Sequence, residues 1–115
     1  MYQVIILRSD LGMRCGKKIA QGAHASVKAA HDAREFHPHR YNEWNEDHGF
    51  KKVALRVTGE GDLINIYHAA KKKSLPCALV WDEGLTQIQP SYTAVAIGPC
   101  EDEILQALTK GMKLI

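Results

Sequence analysis

The sequence predicts an α/β fold: a three-layer α/β/α sandwich around a four-stranded mixed sheet, with elements in the order β-α-β-α-β-β-α. Two apolar, strand-like runs are each followed by a helix-like stretch, and two more strand-like runs and a last helix complete the chain. Alternation of strands and helices is typical of a sheet that helices cover. A length of 115 residues fits one compact domain, so residues 1–115 are expected to form a single domain.

The first half of the chain predicts two strands and one long helix. Residues Tyr2 to Leu7 are rich in Val, Ile and Leu, which is typical of a strand buried on both faces. After a glycine-containing loop, the stretch from Lys17 to about Arg34 is rich in alanine and free of proline, so it favours helix. Residues 36–50 are ambiguous and are expected to form a loop with a turn of helix that Trp44 anchors to the body. The run from Lys52 to Val57 predicts the second strand.

The second half predicts a helix, two strands and a closing helix. Residues Asp62 to Lys73 place apolar side chains at helical spacing and end in three lysines, which suit the negative end of the helix dipole. The apolar runs from Leu75 to Trp81 and from Tyr92 to Ile97 predict the third and fourth strands. Pro99 is expected to start the last helix and Gly111 to end it.

The first helix is predicted to be amphipathic. Its apolar residues should face the sheet: Ile19, Ala23, Val27 and Ala30. Its opposite side carries a polar stripe: Lys17, Gln21, His24, Lys28 and His31. Gly22 inside this helix should cost about 1 kcal/mol relative to alanine unless close packing requires it.

Composition and charge predict a cytoplasmic protein. Fifteen Lys and Arg against thirteen Asp and Glu give a net charge of +2, too small to identify a nucleic-acid partner by itself. Three cysteines without C-x-x-C spacing argue against a disulfide framework or a structural zinc site and fit a reducing compartment. No apolar run approaches the ~20 residues of a transmembrane helix, and no export signal precedes the first strand. No membrane contact is expected.

The motifs of several common enzyme classes are absent from the sequence. A P-loop needs Ser or Thr after its Gly-Lys, and here Lys18 follows Gly16-Lys17. The dinucleotide pattern G-x-G-x-x-G and the nucleophile elbow G-x-S-x-G do not occur. His37 and His39 flank a proline and have no convergent Cys or Asp set, which argues against a metal site.

Two groups of polar side chains fall where α/β sheets bind ligands. Lys17, Gln21 and His24 begin the first helix, and Asp82 and Thr86 follow the third strand. Ligands of open α/β sheets bind outside the carboxyl ends of strands, beside helix N-termini. If both segments share one edge, an ammonium suited to a phosphate or oxyanion meets a carboxylate that can act as base or orient a water. The alternatives stay open here, since a solvated polar stripe and an ordinary D-E-G turn would look the same.

A set of motifs spread over the whole chain resembles one family. The motifs are R8-S-D-L-x-M13, G16-K17, A20-Q-x-A-H-A25, K52-V-A-L-R-V57, L75-P76 and D82-x-G-L-T-Q-I88. Together they resemble the type 2 peptidyl-tRNA hydrolases.

This resemblance implies an activity and a set of site residues. The activity is hydrolysis of the ester between a peptide, or an N-blocked amino acid, and tRNA, which recycles tRNA from aborted translation. It implies no metal or organic cofactor, peptidyl-tRNA as partner, and a homodimer. The implied catalytic residues are Lys17, Gln21, His24, Asp82 and Thr86. The implied substrate- or tRNA-binding residues are Arg8, Asp10, Arg14, Lys18, Lys51, Lys52, Lys71, Lys72 and Gln87.

The expected mechanism is direct attack of water on the ester carbonyl without an acyl-enzyme. Asp82 would orient or deprotonate the water, and Lys17 would stabilise the oxyanion or hold the terminal phosphate. Two other functions remain alternatives: a non-catalytic RNA- or protein-binding module on the same scaffold, and an esterase for a small ester.

Overall fold

The computed structural model describes residues 1–85 and 88–115 and confirms the α/β class. Its elements are β1 Tyr2–Arg8, α1 Cys15–Phe36, α2 Pro38–His48, β2 Lys52–Val57, α3 Glu60–Lys72, β3 Cys77–Asp82, β4 Ser91–Cys100, α4 Asp102–Leu108 and β5 Lys113–Leu114. The sheet has five strands, so the prediction of four strands is wrong. The predicted order of elements lacks the helix α2 and the strand β5. Among the described residues, none of the helices has both the length and the apolar character to cross a bilayer.

The sheet runs in the order β3-β4-β1-β2-β5. Strand β1 pairs parallel with β2, whereas β4 is antiparallel to both β1 and β3. Strands β1, β2 and β3 therefore point the same way, and their carboxyl ends, at Arg8, Val57 and Asp82, share one edge. We call this the carboxyl edge of the sheet and the opposite one the amino edge. Helices α1 and α3, which follow β1 and β2, both begin at the carboxyl edge.

Two apolar clusters pack against the sheet from opposite faces. Val4 and Ile6 of β1 belong to a cluster that includes Leu63 and Ile66 of α3. Leu7 belongs to the other cluster, with alanines of α1. Because successive side chains of a strand point to opposite faces, α1 and α3 lie on opposite sides of β1.

Helix α1 turns a different side to the sheet from the one predicted. Ile19 and Val27 are 66% and 53% exposed, and Ala23 is exposed as well. The buried side of the helix consists of small or polar residues: Gln21, Gly22, Ala25, Ser26, Ala29 and Ala33. Small residues allow close approach, since a Cβ on Gly22 would lie 3.3 Å from Cγ2 of Ile5. Close packing therefore explains the glycine.

The ambiguous segment 36–50 is mostly a second helix, so the expectation of a loop is wrong. Pro38 opens α2, and Gly49 ends it with a left-handed φ of 58°. Trp44 is 1% exposed, which confirms it as an anchor. Its indole N–H donates to the Lys51 carbonyl at 2.8 Å, and its ring lies edge-on to Phe50 with centroids 4.8 Å apart.

Trp44→Ala should lower the free energy of unfolding by about 3–5 kcal/mol, because it removes a large buried side chain and leaves a cavity. Denaturant titration measures the loss. Phe36→Ala is the matched control, since Phe36 is 67% exposed and its removal should cost far less. Equal losses for the two variants would contradict the anchoring role.

Candidate functional site

The opening of α1 and the end of β3 meet at the carboxyl edge. The ammonium of Lys17, in the first turn of α1, donates to Oδ1 of Asp82, the last residue of β3, at 2.6 Å. Both side chains are largely buried, with 12% and 11% of their surface exposed. The structure thus brings together the two charged groups on which the sequence prediction depends.

The Asp82 carboxylate is held in its ionised form. The hydrogen bond from Lys17 is the largest cause that lowers the pKa of Asp82 below its usual value. Burial acts in the opposite direction, while the backbone N–H of Gly84 and the charges of Lys17 and His24 add to the lowering. A carboxylate with a lowered pKa stays ionised and accepts a hydrogen bond from a water, and it readily releases any proton that it takes up during a reaction.

Gln21 stands one turn after Lys17 and also reaches the carboxylate. Its Nε2 lies 3.4 Å from Oδ1 of Asp82, and its Oε1 accepts a 2.5 Å hydrogen bond from the hydroxyl of Thr93. Gln21 is 4% exposed and Thr93 is completely buried. The Thr93 donor fixes which way the Gln21 amide faces, because a hydroxyl donating to Oε1 directs Nε2 toward Asp82.

Sequence reasoning missed Thr93. It lies in β4 within a run of apolar residues, where threonine is an ordinary strand former. The sequence carries no local signal that distinguishes it. Only the pairing of β4 with β3, which sets Ser91 opposite Asp82, brings Thr93 to the site.

The turn after β3 depends on Gly84. Gly84 has a φ of +77°, and a Cβ there would lie 2.5 Å from the backbone nitrogen of Pro90. Its N–H donates to Oδ2 of Asp82 at 2.9 Å, so the turn holds the second oxygen of the carboxylate. Thr86 and Gln87, also predicted for the site, lie outside the described residues.

Arg8 and Asp10, predicted to contact substrate, bind each other, with Arg8 buried and Asp10 exposed. Arg8 is 8% exposed and makes a two-pronged ion pair with Asp10, at 3.0 and 2.8 Å. Its remaining nitrogen, Nη1, donates to the Tyr92 carbonyl at 3.1 Å and approaches Glu60 at 3.4 Å. These contacts raise the pKa of Arg8 and lower the pKa of Asp10, chiefly through their mutual hydrogen bonds. Arg8 therefore braces β4 beside Thr93.

The other predicted site residues, catalytic His24 and six binding residues, fall at two different edges. His24 lies on the exposed side of α1, and Arg14 and Lys18 lie at its start, beside the site. The remaining four are at the amino edge, at the start of β2 or the end of α3: Lys51, Lys52, Lys71 and Lys72. The ammonium groups of Lys51 and Lys52 lie over aromatic rings there, those of Tyr2 and Trp44, at 5.3 and 5.1 Å. The amino edge is about 17 Å from the carboxyl edge at 3.3 Å per strand residue.

The arrangement at the carboxyl edge provides an acceptor and several donors. The carboxylate can orient a water, and the ammonium has three N–H donors, of which Asp82 takes one. The N-terminus of α1 adds the positive end of a helix dipole. Within residues 1–85 and 88–115, the structure brings together no group of three or more His, Cys, Asp and Glu side chains suited to a metal ion. This chemistry suits hydrolysis of an ester whose carbonyl oxygen becomes negative.

Thr93→Val should lower kcat by about fivefold to tenfold, with little change in KM, because one neutral hydrogen bond that orients Gln21 is lost. Valine keeps the shape of threonine, so packing is preserved. Thr93→Ser keeps the hydroxyl and should restore most of kcat. Steady-state kinetics on the ester substrate make the comparison, and a wild-type kcat in Thr93→Val would contradict the positioning role.

Comparisons with known proteins agree with this geometry. The family model described as peptidyl-tRNA hydrolase PTH2 matches residues 1–115. The peptidyl-tRNA hydrolase of Methanocaldococcus jannaschii is 44% identical over 116 residues, covering 100% of both chains. Those of Staphylothermus marinus and Thermococcus sibiricus are 40% and 39% identical, covering 98% of this chain and 93% and 96% of theirs. The chain therefore belongs to the PTH2 family of peptidyl-tRNA hydrolases.

Proposed function

We propose that this protein hydrolyses the ester that joins a peptide, or an N-blocked amino acid, to the 3′ ribose of tRNA. The observation that carries the proposal is the 2.6 Å Lys17–Asp82 pair at the carboxyl edge, in a chain that matches the family along its whole length. The reaction frees the tRNA of an aborted translation event for reuse. Because translation takes place in the cytoplasm, we propose that the protein acts there. We expect a single domain, residues 1–115, to catalyse this reaction.

The reaction begins with a water held against Asp82. The water donates a hydrogen bond to the carboxylate, which aims one of its oxygen lone pairs at the ester carbonyl. As the new carbon–oxygen bond forms, the proton of the water passes toward Asp82. Negative charge develops on the carbonyl oxygen, and Lys17 and the first turn of α1 stabilise it.

The second half of the reaction breaks the bond between the carbonyl carbon and the 3′ oxygen of the ribose. The tetrahedral intermediate collapses, and the 3′ oxygen leaves with the proton that the water lost. The products are a peptide carboxylic acid and a tRNA with a free 3′ hydroxyl, so atoms balance with one water consumed. We propose that Gln21 and Thr86 position the ester and that His24 and Gln87 contact the substrate.

Contacts to the tRNA backbone come from the basic residues beside the site. Arg14 and Lys18 lie at the start of α1. The ion pair of Arg8 and Asp10 holds the protein backbone between β1 and α1 in place. The four lysines of the amino edge (Lys51, Lys52, Lys71 and Lys72) stay candidates for more distant parts of the tRNA. Backbone contacts of this kind weaken steeply with salt.

We also propose a homodimer. Ile19 and Val27 project from α1 as an exposed apolar ridge. Ile19 and Val27 also form one wall of a groove of about 690 Å³, whose other lining residues include Ile5 and Ala54. Because ridge and groove are adjacent on one face, a two-fold copy can place each ridge in the other's groove. Light scattering should give twice the mass of 12.8 kDa, and Ile19→Ser with Val27→Ser should give the monomer.

The decisive experiment compares two substrates. Wild-type protein should release the blocked amino acid from N-acetyl-aminoacyl-tRNA and should act far more slowly on a simple aryl ester of the same acid. Release from neither would support a binding module and refute the proposal. Equal or faster turnover of the aryl ester would support a small-ester esterase and refute it as well.

A further inference from the structure

We propose that Lys18, Arg56 and Lys113 form a phosphate-binding strip for the RNA backbone of the substrate, on the opposite side of α1 from Asp82. We call these three residues the basic strip. The inference rests on the proposed function, because it names where the tRNA lies once its ester is at Lys17 and Asp82. Arg56 lies inside the motif K52-V-A-L-R-V57, but neither Arg56 nor Lys113 is among the site residues that the resemblance implies.

The basic strip adjoins the candidate site at the first turn of α1. Lys17 and Lys18 are neighbours in the first turn of α1, and one residue rotates a helix by about 100°, so their side chains diverge. Lys17 reaches Asp82. Lys18 instead lines a cavity of about 230 Å³ together with Arg56, near the end of β2. The first turn of α1 thus directs one cation to the reacting bond and the next to this cavity.

The pairing of β2 with β5 continues the strip. Arg56 lies directly opposite Lys113 in the antiparallel register of the two strands. The Nε of Arg56 donates to the Leu114 carbonyl at 3.2 Å, which holds the guanidinium beside β5. Arg56 and Lys113 also line a second, larger cavity of about 750 Å³. The basic strip therefore joins two neighbouring concave surfaces.

The charges of the strip indicate an anionic partner. Like charges directly opposite each other on paired strands are destabilising, and Arg56 with Lys113 is such a pair. Over residues 1–85 and 88–115, none of Lys18, Arg56 and Lys113 forms an ion pair. Asp62 lines the larger cavity but is not paired with them. A polyanion laid along the strip would relieve the repulsion that the free protein carries.

The distance between the site and the basic strip can be spanned by an RNA end but not by a single small anion. Asp82 is on β3 and Lys113 on β5, four strand spacings apart in the sheet order, which is about 19 Å at 4.8 Å per spacing. The ester lies at the extreme 3′ end of a tRNA, so the backbone leading away from it must cross the protein surface. A single-stranded end of a few nucleotides spans this distance and brings successive phosphates to the basic strip.

The test is the salt dependence of tRNA binding by Arg56→Gln with Lys113→Gln. Each lost phosphate contact should reduce the slope of log K against log salt by about 0.7–0.9, or about 1.5 for the pair. At 0.1 M salt this corresponds to roughly 30-fold weaker binding of deacylated tRNA. KM for N-acetyl-aminoacyl-tRNA should rise in parallel, while kcat stays near wild type because the reacting groups are unchanged.

The matched control is Arg34→Gln with Lys28→Gln, which removes the same charges from exposed positions of α1 outside the basic strip. It should change the slope much less. Arg56→Lys with Lys113→Arg keeps both charges and should keep the affinity, which separates charge from fold. Thermal unfolding of each variant verifies that it is folded.

The outcomes separate this inference from the proposed function. If wild type hydrolyses the tRNA ester but Arg56→Gln with Lys113→Gln keeps the wild-type slope, the strip is refuted and the function stands. If the strip and control variants lose slope equally, the contribution is one of net charge, and the strip is again refuted. If the strip variant loses slope but wild type hydrolyses nothing, the strip stands and the function fails.

Discussion

Replacing Asp82 with Asn should reduce kcat for peptide release by about 1000-fold, within the range for loss of a positioned acid–base group. Asparagine keeps the size of the side chain, so the fold should be preserved. Its amide has no negative charge for Lys17, and its NH2 group must face a donor, since Lys17 and Gly84 donate to the two carboxylate oxygens. The water would lose its acceptor. Single-turnover kinetics on N-acetyl-aminoacyl-tRNA measure the effect.

The neighbouring residue supplies the control for Asp82. Glu83→Gln makes the same chemical change at an exposed position and should leave kcat near wild type. Equal losses in the two variants would show a general charge effect, and a near-wild-type rate in Asp82→Asn would refute the assigned role.

The pH profile provides a second measure of the same carboxylate. The pKa of Asp82 is lowered in the folded protein, chiefly by the Lys17 hydrogen bond. The stability that this ionised group contributes is present above its unfolded pKa of about 3.9 and is lost as pH falls through the folded pKa. The reaction needs the same ionised carboxylate, because the protonated acid cannot accept the proton of the water. The acid limb of kcat that is due to Asp82 should therefore lie below pH 4. An acid limb with a midpoint near pH 6 would contradict this ionisation.

The first four strands and the two segments that form the candidate site were predictable because their signals are local. Apolar runs bounded by glycine or charged loops identify β1 and β2, and strand–loop–helix order alone places Lys17 at a helix start. Asp82 follows an apolar strand in the same way. That both lie at one edge follows from β1 and β3 running parallel, which the alternating pattern favours.

The face of α1 was not predictable by counting apolar residues. Assigning the apolar side of a helix to the sheet assumes that polar side chains avoid the sheet. Gln21 and Ser26 are nevertheless buried between α1 and the sheet, with their hydrogen bonds satisfied. Ser26 donates to Oε1 of Gln3 at 2.6 Å, and Thr93 donates to Gln21. Such partners come from strands distant in sequence, so the burial of a polar group is invisible until the sheet is assembled.

The two missed elements have different causes. Strand β5 is only Lys113–Leu114, too short for any periodic pattern, and it exists through its pairing with β2. Helix α2 has a polar composition in which Trp44 alone is buried. Its hydrophobic stripe is one residue wide, and the stabilising contacts come from Phe50 and the start of β2.

Replacing Lys17 with Met should lower kcat by about 100- to 1000-fold, the usual loss for one preorganised donor to a developing oxyanion. Methionine retains most of the length of the side chain but cannot donate to Asp82. The Asp82 carboxylate then keeps its burial without its main partner, so its pKa should rise toward or above the usual value. The acid limb of the residual activity should move to higher pH, by the same sign argument as above.

The choice of substrate decides what Lys17 does in the reaction. If its ammonium stabilises the carbonyl oxygen, Lys17→Met should reduce kcat on N-acetyl-aminoacyl-tRNA and on its 3′-terminal nucleoside ester alike, because both contain the same carbonyl. If the ammonium holds the terminal phosphate, the nucleoside ester, which has no phosphate, should be hydrolysed equally by variant and wild type. We expect the first result, since the 2.6 Å bond to Asp82 keeps the ammonium beside the carboxylate that holds the water. Unchanged kcat on both substrates, with no movement of the acid limb, would exclude Lys17 from the chemistry.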